Sequence, residues 1–288
     1  MEEESFDYGL DPGESFEPFD ESDIDRSQPH IMTVLGPIHP GALGPVNLAA
    51  SFVAQHANEN GGNIVTEIQE AAVVGINGLV DLRPIASMSE ARTALSLAEH
   101  VDIHLIVTTG IQKDQSLADN VTRIARESES GLHGSSVRPG AIVSITSQAL
   151  VSAGLSAAEA TGLPLIVDAR NAVHSFDWLS ADVFVAARPD QAVQLIERGM
   201  RVIVDLDGST SDAALAMLIQ QLNSDSLVTL AYDPESNSAG RFSRWSWLIE
   251  EFPIHLLEAG LDPFEVRALM IDRPADWLTV HLPSPPRC

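Results

Sequence analysis

From residue 33 onward the chain alternates short apolar runs with amphipathic segments, and eight such runs can be counted. In order they lie in "TVLGPIHPGALGPVNLAAS", "GLVDLRP", "VDIHLIVTTG", "GAIVSITS", "LPLIVDAR", "DVFVAAR", "RVIVDLD" and "SLVTLAYD". The intervening stretches, among them "IVTEIQEAAVVG", "MSEARTALSLAE", "LADNVTRIARESES" and "PDQAVQLIERG", carry apolar residues at helical spacing. Strands separated by helices must pair in parallel, and runs that are apolar on both faces belong to strands covered on both sides. Eight such units over roughly 250 residues predict an α/β fold, a (β/α)8 TIM-like barrel. An open doubly wound sheet is the alternative, but no glycine fingerprint for a dinucleotide follows the first run. The stretch "RFSRWSWLIEEFPIHLLEAGLDPFEVRALMIDRPADWLTV" reads as closing helices, with Trp245, Trp247, Phe252, Leu256 and Phe264 expected in the core.

Charge narrows the function. Sixteen Lys and Arg oppose 41 Asp and Glu, a net charge of −25, which argues against a nucleic-acid backbone or an anionic membrane as partner. Residues 1–26 alone hold eleven acidic residues and one Arg, together with Phe6, Tyr8, Phe16 and Phe19. With low complexity and no sustained period, residues 1–29 are expected to form a disordered acidic tail, either solubilising or docking a basic protein surface. The barrel is expected over residues 30–282, followed by a short tail over 283–288. No apolar stretch approaches the ~20 residues of a membrane helix, and the acidic start has no leader layout, so a cytoplasmic location is expected. The single cysteine, Cys288, excludes an intrachain disulfide and a Cys-rich zinc site.

In a barrel of this type chemistry sits where the strands end. The side chains at those ends include Asp81, Arg83, Asp168, Arg170, Arg188, Asp205, Asp207, Tyr232 and Asp233. Asp168 and Asp233 are the candidate acid–base residues. Asp81, Arg83, Arg170, Arg188 and Tyr232 are the candidate ligand-binding residues. Carboxylates that crowd one mouth repel each other, so pairing with arginine, a hard cation, or a carboxyl with a raised pKa must offset the repulsion.

Several ordered segments carry a resemblance. "TVLGPI" with the following "LG", "EAAVVGINGLVDLRPI", "VTTGI", "LADNVTRIARESESGLHGSSVRPGAI", "TGLPLIVDA" and "LMIDRPADWL" occur in the order found in the phosphotriesterase family of the amidohydrolase superfamily, from about residue 31 to 280. The resemblance implies a barrel with metal-assisted hydrolysis of phosphotriesters, lactones or related esters, and a homodimer. It also implies a binuclear centre built from a His-x-His pair on strand one, a carboxylated lysine on strand four, histidines on strands five and six and an aspartate on strand eight. Carried over by residue, the strand-one pair falls on Ala49 and Ser51, the lysine on Val143, the histidines on Asp168 and Ala187, and the aspartate on Asp233. Only Asp233 matches in type. The only lysine, Lys113, follows strand three, and no histidine lies between residues 40 and 55 or between 181 and 190.

The expected protein is therefore phosphotriesterase-like, without the binuclear metal centre and with no cofactor. It acts as a non-hydrolytic binding or accessory protein that takes a small-molecule ligand in the barrel mouth and a protein partner through the acidic tail. The alternatives are metal-independent acid–base chemistry at the mouth, and a metal-dependent hydrolase.

Overall fold

The computed structural model describes residues 28–48, 53, 62–172, 178–179, 183–206, 228–232 and 246–281. A hairpin opens it. Strands β1 (Ile31–Thr33) and β2 (Gly36–Ile38) pair antiparallel around Leu35, with Thr33 Oγ1 donating to the Gly36 carbonyl at 2.7 Å.

The barrel strands follow as β3 (Val46–Asn47), β4 (Gly78–Val80), β5 (His104–Ile106), β6 (Thr108–Gly110), β7 (Ala141–Ile145), β8 (Leu165–Asp168), β9 (Phe184–Ala187), β10 (Arg201–Leu206) and β11 (Val228–Tyr232). All their pairings are parallel. Strands β5 and β6 are one strand interrupted at Val107, whose carbonyl still accepts from Gly140 N at 2.8 Å. Counting that pair as one gives eight parallel strands, and the last, β11, lies against the first, β3. This is the ring expected from the alternation, and it displaces the open sheet.

Five helices described between the strands are α1 (Gly62–Val73), α2 (Met88–Ala98), α3 (Leu117–Ser130), α4 (Gln148–Thr161) and α5 (Pro189–Ile196). Their starts are legible in the sequence. Ser87 and Ser116 cap α2 and α3 by accepting from Glu90 N and Asp119 N, and Pro189 occupies the first turn of α5. Helix α4 ends at Gly162, whose φ of 75° needs no Cβ penalty. The closing helices are α6 (Ser246–Glu250), α7 (Phe252–Glu258), α8 (Pro263–Arg267) and α9 (Arg273–Leu278), with a π-helical turn over Ala268–Asp272. Among the described residues no helix is long and apolar enough to cross a membrane.

Side-chain alternation along the strands creates two cores. Val46, Leu48, Val80, Ile106, Ala141, Val143, Ile166, Phe184, Ala186 and Ile203 form the barrel interior with Trp277 and Leu278. Trp277 stacks on Phe184 with ring centroids 4.9 Å apart, so α9 and the opening hairpin fill the N-terminal end of the barrel. The opposite parity, including Val167, Val185, Ala187, Val202 and Val204, packs against the helices.

Two expectations are corrected here. Phe264 is not core but 81% exposed. The short α8 buries only Val266, and a residue two positions away on a helix points to the far side. Phe252 and Leu256 are buried as expected, whereas Trp245 lies outside the described residues and the side chain of Trp247 is not described. Secondly, Ala187, onto which the strand-six histidine falls, belongs to the outer core, and the inward residues of β9 are Phe184 and Ala186.

Two polar devices tie the strand ends. Arg123 on α3 is nearly buried and donates to Glu127 Oε2 at 2.7 Å, to the Gly110 carbonyl at 2.6 Å and to Thr109 Oγ1 at 3.1 Å. Thr109 Oγ1 donates in turn to Glu127 Oε2 at 2.7 Å, so the end of β6 is fixed to α3. Asp81, just past β4, is 1% exposed and accepts from Val53 N at 3.0 Å and Arg83 N at 2.9 Å. Burial outweighs those amides and pushes its carboxyl up to about 6.

Each device makes a prediction. Arg123→Met leaves Glu127 buried and uncompensated and is expected to cost about 3 kcal/mol in urea unfolding. Arg123→Met combined with Glu127→Gln recovers most of that loss. An equal loss in both variants would show that Arg123 acts through packing alone. For Asp81, the folded state binds the proton more tightly than the unfolded chain, so this group's contribution to stability falls as pH rises from about 4 to about 6. The stability of the natural protein relative to Asp81→Asn should therefore increase on acidification from pH 7 to pH 4, by up to ~3 kcal/mol. A difference that is flat over that range would overturn the assignment.

Candidate functional site

The mouth is built by the parity that builds the interior. On β8, Ile166 faces the barrel interior, so Asp168 and the following Arg170 continue that face at the C-terminal end. On β10, Ile203 faces inward and Asp205 follows it. On β7, Ala141 and Val143 face inward, and Ile145 ends the row with 44% of its surface exposed.

Arg170 joins two of these strands. Its Nε donates to Asp168 Oδ1 and one terminal nitrogen to Asp168 Oδ2, both at 2.9 Å, while the other terminal nitrogen donates to Asp205 Oδ2 at 3.2 Å. The Arg170 amide also donates to Asp168 Oδ1 at 3.2 Å, a local turn that folds the side chain back over its own strand end. Between β8 and β10 runs β9, whose inward residue beside Asp168 is Ala186, and a methyl group leaves room for the guanidinium to cross. The three side chains are only 12–24% exposed. Hydrogen bonding by Asp168, followed by the charges of Asp168 and Asp205, lifts the guanidinium pKa further above its ordinary value despite burial. It is a cation at every accessible pH. Without it, two carboxylates at a separation of order 6 Å would repel by roughly 3 kcal/mol at an effective dielectric of ~20.

Of the remaining sequence candidates, those described lie apart from this cluster. Asp81 has the parity opposite to Val80 and Leu82, which belong to the interior, and it serves the backbone amides already described. Arg83 turns to Glu90 in the first turn of α2 at 3.1 Å. Arg188, the residue before α5, turns to Asp190 at 3.2 Å. Tyr232 ends β11 beside Leu206, its side chain undescribed, and Asp233, Asp207, Ala49 and Ser51 lie outside the described residues. Two mouth features were not singled out from the sequence. Ile145 could have been found by counting alternate residues from Ala141, whereas the union of Asp205 with Arg170 depends on the stagger between strands and leaves no local signal.

The donor set does not fit the binuclear centre implied by the resemblance. Val143, at the bridging position, is an apolar side chain packed in the interior and 5% exposed. Asp168, at the strand-five position, has both oxygens on Arg170. Among the described residues, no three His, Cys, Asp or Glu side chains gather as metal ligands would. What the mouth offers instead is a fixed guanidinium with N–H groups beyond its three carboxylate bonds, a local charge of −1, and an apolar wall at Ile145. Such a site presents hydrogen-bond donors and acceptors to a small polar ligand and disfavours a strongly anionic one.

No family model and no curated protein sequence matches this chain. Solved structures do. An amidohydrolase from Mycoplasma synoviae superposes with a TM-score of 0.69 at 16% identity, over 89% of this chain and 93% of that one. A lactonase from Listeria monocytogenes gives 0.65 at 14% identity, over 88% and 99%. A resiniferatoxin-binding protein from Rhodobacter sphaeroides gives 0.65 at 18% identity, over 86% and 94%. At these identities the likeness is one of fold, and the chain is an α/β barrel of the architecture used by these amidohydrolase-type proteins.

Proposed function

We propose that this protein is a phosphotriesterase-like barrel that works as a non-hydrolytic binding or accessory protein, taking a small polar ligand at its mouth. The observation that carries the reading is the fork of Arg170 on Asp168, extended to Asp205 across the mouth. Metal-assisted hydrolysis needs a cation with an open coordination position, and the binuclear form that the resemblance implies needs a bridging ligand as well. A guanidinium has no coordination position, and Val143 supplies no donor. The same geometry speaks against Asp168 as a general base, because a carboxylate with both oxygens engaged by one guanidinium is poorly placed to take a proton from a ligand.

The acidic segment 1–26 has a charge of −10 and four aromatic residues. It supports the second half of the reading, docking to a basic protein surface.

Two measurements test this. Protein expressed with added Zn and Mn and purified without chelator is expected to carry well under one metal equivalent, and to leave lactones, phosphotriesters and carboxylic esters unturned. Two equivalents together with turnover would restore the hydrolase. For the tail, deletion of residues 1–29 is expected to abolish co-purification of a basic partner while leaving the melting temperature unchanged; retention of the same partner by the truncated chain would remove the docking role.

A further inference from the structure

We propose that the guanidinium of Arg170 is the resident cation of the barrel mouth, a tethered charge that holds the inward carboxylates of Asp168 and Asp205 together where the resemblance implies metal ions. The proposal rests on the reading above that the mouth lacks a binuclear centre, and it adds what replaces that centre.

The argument begins with parity. Ile166 and Ile203 face the interior, so the next inward residues on their strands are Asp168 and Asp205, two carboxylates on separate strands with one strand between them. Fold geometry alone brings these charges to one end of the barrel, and neither can leave without reversing its strand's apolar pattern. Each needs a counter-charge. Two other arginines at strand ends, Arg83 after β4 and Arg188 after β9, are turned to Glu90 and Asp190. Arg170 meets the demand from within. Its amide and its Nε both bond Asp168 Oδ1, so the side chain is directed before it reaches Asp205, and Ala186 on the intervening strand leaves its path open. Three charge-assisted bonds on one planar group give directionality that a lysine lacks. The raised guanidinium pKa agrees with a permanent charge.

A resident cation can be exchanged for another cation, but not for a neutral molecule of the same shape. This separates the proposal from a packing role. Arg170→Ala is expected to lower the melting midpoint by about 4 °C or more. Millimolar guanidinium, or millimolar Ca²⁺ or Mn²⁺, should restore at least about half of that loss and leave the natural protein unmoved. Urea, the neutral isostere, and NaCl at matched ionic strength should restore none. Rescue by urea or NaCl to the same extent, or no rescue by any cation, would overturn the proposal.

Asp168→Asn/Arg170→Ala/Asp205→Asn removes the demand for a cation. It is expected to fold and to be indifferent to guanidinium and to divalent ions. If Arg170→Ala does not fold, folding of this triple variant still supports the electrostatic role, and failure of both overturns it. Metal content of the natural protein decides the functional reading separately. Absent rescue with a metal-free natural protein removes the resident cation only, whereas two bound equivalents in the natural protein remove the reading on which it rests.

Discussion

A closed ring of parallel strands forces every strand to divide its side chains between two cores, one inside the ring and one beneath the helices. That division governs everything else in this protein. On β8 it sends Ile166 inward and Val167 outward; on β10 it sends Ile203 inward and Val202 and Val204 outward. Because the period is two and the apolar layers fix its phase, the residues that follow on the inner face have no choice of direction. Trp277 on Phe184 closes the far end of the interior. The polar residues of the inner face are therefore collected at the C-terminal end, where partial hydration makes charge tolerable.

The strands were legible for a local reason and the site was not legible for a non-local one. Each strand is a short apolar run bounded by Gly, Pro or charged residues, and these limits lie in the residues themselves. The break at Val107 and the exposure of Phe264 are set by neighbours instead. Direction was partly legible: counting alternate residues from Val80 and Leu82 turns Asp81 away from the mouth, and counting from Ala186 makes Ala187 an outer residue. Partnership was not legible. Arg170 and Asp205 are separated in the chain by strand β9 and helix α5, and their meeting depends on the stagger accumulated around the ring. A list of strand-end charges names both residues without pairing them.

Two polar networks at strand ends, one at the mouth and one turned away from it, solve one problem by opposite means. Around Asp81 the charge is met by backbone amides, and burial still leaves its carboxyl at about 6, so that clamp responds to mild acid. Around Asp168 and Asp205 the charge is met by a full opposite charge. The clamp beyond β4 is accordingly the part that takes up a proton in mild acid.

A tethered guanidinium and a coordinated metal ion would give a barrel mouth different chemistry. A metal ion polarises a bound oxygen and lowers the pKa of its water, and both actions need an open coordination position. A guanidinium offers charge and directed N–H groups but no such position, and here three of those N–H groups are already used. On the proposed reading its remaining donors serve recognition, with the exposed Ile145 as an apolar flank. Val143, buried in the barrel interior, offers no donor to a metal ion. Likeness of fold to an amidohydrolase and a lactonase is thus compatible with the proposed binding role, since the ring supplies the positions and the side chains placed there decide the chemistry.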